Sequence, residues 1–104
     1  MAVDSLAEMK HKDFAELVGE SFEVAAEEDG APVSQLKLAS AAELSQPAQP
    51  NGRIPFLLTF EGPAGFPLDQ GTYWFKRSDF GPLGIFIVPV AESGNTRSYE
   101  AIFS

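Results

Sequence analysis

The sequence predicts a mainly β domain with a minor α part: a small antiparallel barrel or sandwich of about six strands, led by a short N-terminal helix. Three observations predict it. Apolar residues recur with a period of two from Ser21 to the end of the chain. Turn signals rich in Gly, Pro and Asn interrupt them every eight to fifteen residues. Helical spacing is confined to the residues before Gly19, which leaves no crossover helices for a parallel sheet.

The helix is expected over 13–18. Asp13 and Glu16 stand three apart, as in a capping box, ahead of Phe14 and Leu17, and Gly19 suits a left-handed C-terminal cap. Ser5 and Glu8 repeat the capping spacing, which suggests an earlier turn over 5–11, although the apolar phase slips between Met9 and Phe14. In SFEVAAEEDGAPVSQLKLAS, Phe22, Val24 and Ala26 share one strand face and Leu36 and Leu38 another. Asp29-Gly30 between them is expected to be a hairpin turn, because both residue types tolerate positive φ.

AAELSQPAQPNGRIP reads as a loop. PFLLTFEGP then alternates Phe56, Leu58 and Phe60 against Leu57, Thr59 and Glu61. GPAGFPLDQG turns the chain into the strand GTYWFKRS, and GPLG turns it again into IFIVPVAE. Apolar residues on both faces of 85–90 predict a strand covered on both sides, with the helix as the lid of one face; Pro89 marks an edge position or a bulge. Gly94-Asn95 closes a last hairpin onto RSYEAIFS, where Tyr99, Ala101 and Phe103 alternate with Glu100 and Ile102. The 104 residues form one domain, with 1–12 an N-terminal segment, mobile or helical, and 40–54 a mobile loop.

Composition narrows the function. A chain of this size hides roughly 65% of its unfolded surface, enough for one core without staples. Fifteen acidic and seven basic residues give a formal charge of −8, and the cations are scattered. That field repels phosphate backbones and anionic lipid, so neither nucleic acid nor a membrane is an expected partner. Without cysteine there is no disulfide, thiolate nucleophile or cysteine zinc site. The opening MAVDSLAEMKHKDF lacks the apolar region of a signal peptide, and LGIFIVPVA is far short of the roughly 20 residues of a spanning helix. The expected location is the cytoplasm.

No chemistry assembles on this scaffold. His11 is the one histidine, without partners for a metal site or a triad, and reads as a solvated side chain before the helix. Glu61, Asp69, Asp79, Glu92 and Glu100 lie near strand ends, where a carboxylate pair would need a separation of about 5–9 Å for glycoside hydrolysis; solvated charge is the simpler reading. Glu27-Glu28-Asp29 lacks the spacing of a calcium loop. GPLG and GPAG carry proline where a phosphate cradle needs N–H groups. The domain is therefore expected to be no enzyme and to use no cofactor or metal.

The aromatic set is more informative. Phe22, Phe56, Phe60, Phe75, Phe86 and Phe103 fall on alternating positions and read as core. Phe66, Trp74 and Phe80 do not fit that pattern, and with Arg77 they have the composition that protein interfaces favour. Trp74 shares a strand face with Lys76 and is expected outside, unless the helix or the 40–54 loop covers it. Two functions follow: an interaction or assembly module whose patch is Phe66, Trp74, Arg77 and Phe80, acting as a monomer or weak homo-oligomer, or a small-molecule-binding barrel lined by aromatics. A narrow barrel fills with its own side chains, which favours the first.

The opening DFAELVGESFEV (D-F-x-x-L-V-G-E-x-F), the phrase PFLLTFEGP, the segment GTYWFKRSDFGPLGIFIVPV and the ending SYEAIFS (Y-E-A-x-F) resemble an uncharacterised family of small bacterial proteins, over residues 13 to 103. The resemblance implies an accessory or assembly role beside phage-tail-like structural proteins, with an unknown protein partner. It brings no catalytic motif.

Overall fold

In the computed structural model the described residues are 11–44, 55–78 and 80–103, with the side chain of Phe80 left outside. They form a helix α1 (His11–Ala15) and strands β1 (Ser21–Ala25), β2 (Ser34–Glu43), β3 (Phe56–Pro63), β4 (Gly71–Arg77), β5 (Phe80–Ser93) and β6 (Thr96–Phe103). The strands close into a barrel in the order β1-β2-β3-β6-β5-β4, every neighbouring pair antiparallel. Closure decides between the barrel and the sandwich, and it leaves no long free edge.

Alternation places the core. Phe22, Val24, Leu36, Leu38, Phe56, Leu58, Phe60, Phe75, Ile85, Ile87, Tyr99 and Phe103 point inward and are buried. Phe60 and Phe75 lie 4.7 Å apart by ring centroid, each 6.2 Å from Phe22, and fill the middle of the barrel. Each such ring, taken out of water, contributes roughly 1.5–3 kcal/mol before entropy.

The ends are closed differently. At one end α1 inserts Phe14 against the stacked pair Phe56 and Phe103, whose centroids are 4.8 Å apart. At the other, the β3–β4 connection must cross from β3 to β4 past β6 and β5, and it buries Leu68 there. The Leu68 N–H donates to the Tyr99 hydroxyl at 2.9 Å, so the one polar group of that core tyrosine has a partner.

Several expectations are corrected. The helix runs over His11–Ala15, starting two residues earlier than 13–18, so Asp13 lies inside it and is not its cap. Gly19 has a left-handed φ of 95°, but it stands four residues past the helix and its N–H donates to the Leu38 carbonyl at 2.7 Å, so it joins the chain to β2 instead of capping α1. His11 is not a solvated residue ahead of the helix. It begins α1, half-buried, with Nε2 3.0 Å from the Ala41 carbonyl and its ring 6.1 Å from Phe56. Since a carbonyl only accepts, Nε2 carries the proton and donates. The bond ties α1 to β2, which extends to Glu43 and so takes in 40–43 of the expected loop. The earlier helical turn at 5–10 and the loop residues 45–54 lie outside the described residues.

Asp29-Gly30 does not make a two-residue hairpin. Neither residue has positive φ; the Gly30 N–H donates to the Glu27 carbonyl at 3.0 Å within a longer connection, and Ala26 lies beyond the end of β1. The turn into β5 is set by Ser78, at φ 50°, while GPLG lies within the strand itself, with Gly81 at φ 83° and a cis Gly81-Pro82 bond. Nor is β5 covered on both faces. Ile85 and Ile87 are buried, but Phe86, expected in the core, is 51% exposed, and α1 sits at the end of the barrel instead of over β5. The expected irregularity at Pro89 is present as a register shift between Pro89 and Ala91. Gly94-Asn95 forms the expected tight turn between β5 and β6.

Candidate functional site

Phe75 points into the barrel, so its neighbours Trp74 and Lys76 point out. Across the sheet, Trp74 stands opposite Ala25 on β1 and Gly84 on β5. Both partners are small, which gives the indole room to lie along the wall. Its Cη2 and Cζ3 are 3.1 Å from where a Cβ on Gly84 would stand, so glycine there lets the ring lie a few tenths of an ångström closer to the strand than any other residue would. A glycine inside an apolar strand pattern is the sequence signal of such a close approach.

The half-buried indole borders a groove of about 110 Å³. From β1 come Glu23 and Ala25; the β1–β2 connection adds Glu28, Asp29, Gly30 and Pro32; Lys76 and Pro82 complete the lining. Three acidic residues and one lysine thus line the groove, and Lys76 stands directly opposite Glu23 in the register. Glu28 and Asp29 are left as the net charge of the rim. The sequence gives Trp74 as an outward aromatic, yet it assigns Asp29 only to a turn. What it lacks is the pairing that folds the acidic connection back beside the indole.

The other candidate residues do not join this groove. Phe66 is 53% exposed in the β3–β4 connection, at the end of the barrel that Leu68 closes. Arg77 pairs with Glu20 near the opposite, helical end and is committed to that ion pair. The side chain of Phe80 lies outside the described residues. A second outward group comprises Phe86, which its strand position predicts to be core, with Val90 (48% exposed) and Ile102 (68% exposed) on β5 and β6.

Polar chemistry elsewhere is structural. The Tyr73 hydroxyl donates to the Asp69 carbonyl at 2.9 Å; burial first, then the Asp69 charge, hold its pKa above the ordinary 10.0. Arg97 pairs with Glu92 at 3.1 Å beside the β5–β6 turn. Among the described residues no group of three His, Asp or Glu side chains is placed to hold a metal, and no helix is long and apolar enough to cross a membrane.

Fold and site together define a small closed antiparallel barrel with a filled interior and an acidic, tryptophan-walled groove on its outside. The chain belongs to the family described as a domain of unknown function (DUF6916), whose model matches residues 9–103. No curated protein and no solved structure matches it.

Proposed function

We propose that the domain is a non-enzymatic protein-interaction module, an accessory in assembly, that contacts its partner through the outer wall of the barrel at Trp74. The observation that carries this reading is the indole itself: a large aromatic side chain held half-exposed over Gly84, beside a groove, on the outside of a barrel whose inside is already full. Surface tryptophans in such concavities are the residues that anchor protein interfaces. The filled interior weighs against the small-molecule barrel, since Phe22, Phe60 and Phe75 occupy the space a ligand would need. The exposed Glu23, Lys37 and Lys76 on the outer wall weigh against a lipid-facing barrel and suit a cytoplasmic protein.

Site-directed photocrosslinking in the cell that encodes the protein tests the reading. A photoreactive phenylalanine analogue at position 74 is expected to give one defined protein adduct, absent with the analogue at the outward-facing Glu100 of β6, a strand that borders neither β1 nor β4. No adduct at 74, or the same adduct at both positions, would remove the proposal. Native mass spectrometry completes the test: extra mass of a few hundred daltons on the purified chain would replace it with the ligand-binding barrel.

A further inference from the structure

The chemistry of the Trp74 groove selects among partner side chains, on the assumption that the groove is a protein contact. We infer that it takes an arginine side chain presented by the partner protein.

Size comes first. A groove of about 110 Å³ is well below the roughly 300–1,000 Å³ of ordinary small-molecule sites. It admits the head of one side chain, not a cofactor or a folded ligand. Charge comes next. The groove is rimmed by Glu23, Glu28 and Asp29 against Lys76 alone, and Lys76 is opposed by Glu23 in the strand register. The chain as a whole carries −8, which adds a long-range attraction for cations.

Shape decides between the cations. The wall of the groove is an indole, whose face attracts a cation within about 6 Å of its centre. A guanidinium is planar: it stacks on that face while its fork of N–H donors is left free for the carboxylates of Glu28 and Asp29. An ammonium has neither the plane nor the fork, and keeps more of its hydration. Gly84 is the positioning residue, because a Cβ there would stand 3.1 Å from the indole and oblige the ring to shift by a few tenths of an ångström.

The chain has a single tryptophan, so its own fluorescence reports the groove. The probes are the peptides acetyl-Gly-Arg-Gly-amide, its lysine counterpart, and its citrulline counterpart, which keeps the shape of arginine without the charge. The arginine peptide is expected to give a saturable change in Trp74 emission. Binding should fall at least about tenfold with citrulline, several-fold with lysine, and several-fold again between 0.05 and 0.5 M salt. The Glu28→Gln/Asp29→Asn double variant, with both changes on an exposed connection, should lose at least about tenfold, and Glu100→Gln on β6 should change nothing. Equal response to citrulline or lysine, retained binding in the double variant, or no saturable response would each overturn arginine as the occupant. A crosslink at position 74 alongside any of these results would leave the interaction reading standing and remove only this inference.

Discussion

Ile87 and Phe86 are neighbours on β5, both large and apolar, and they have opposite fates: Ile87 is 0% exposed and Phe86 51%. The pleat alone separates them. In a barrel this narrow the interior is full once every second residue of each strand has entered it, so the remaining apolar side chains stay on the wall whatever their hydrophobicity. Burial here is allotted by register before residue type. The two faces of the wall are therefore expected to answer differently to the same change.

The inner face rests on closure, and the largest effect comes from removing it. Deleting Ser98–Ser104 takes away Tyr99, Ala101 and Phe103 and most of both ladders of β6. It also strips Phe14 and Phe56 of the ring packed against them. The truncated chain is expected to be unfolded, with collapsed dispersion in its proton NMR spectrum. Native dispersion would mean that the barrel survives open, and that the inner face is not one cooperative unit.

Below that come single inner residues. Ile87→Ala should cost about 2–5 kcal/mol, the loss of a buried aliphatic side chain plus its cavity, read as a lower urea midpoint with unchanged slope. Gly81→Ala should cost at least about 2 kcal/mol for a different reason. Gly81 has φ 83°, and a Cβ there would lie 2.3 Å from the Phe75 carbonyl oxygen and 3.0 Å from the Leu83 N. These neighbours are backbone, so the overlap cannot be relieved by a rotamer change. A Gly81→Ala variant as stable as the parent would show that β5 can shift against β4 at its start.

The inner face was largely legible in the sequence, and the reason is periodicity. Phe56, Leu58 and Phe60 against Leu57 and Thr59, or Tyr99, Ala101 and Phe103 against Glu100 and Ile102, state which face is buried without any knowledge of the partner strand. Periodicity says nothing about what lies across the sheet. Phe86 looked like core because β5 has apolar residues on both faces, and only the pairing shows that no layer covers its outer one. In the same way Trp74 could be placed outward, but Gly84, Ala25 and the Glu28–Asp29 rim became parts of one groove only through the β1–β4 and β4–β5 registers. The role of His11 is not legible in the sequence, because its bond spans 30 residues to a backbone carbonyl, which no side-chain pattern announces.

The smallest effect is the one that tests the comparison most directly. Phe86→Ala removes more apolar surface than Ile87→Ala does, so a view in which hydrophobic size governs stability ranks it as the more damaging. Register ranks it far below. About half of the Phe86 side chain is already in water, it stands opposite Thr72 on β4, and no cavity opens when it is cut back, because solvent fills the space. The expected cost is under about 1 kcal/mol, mostly lost packing along the outer strand surface. The pair Phe86→Ala and Ile87→Ala, measured side by side in urea, thus compares two adjacent positions with one backbone. A loss at Phe86 as large as that at Ile87 would mean that the outer face of β5 is buried in solution, and the outer wall, not the barrel interior, would then hold the second half of the core.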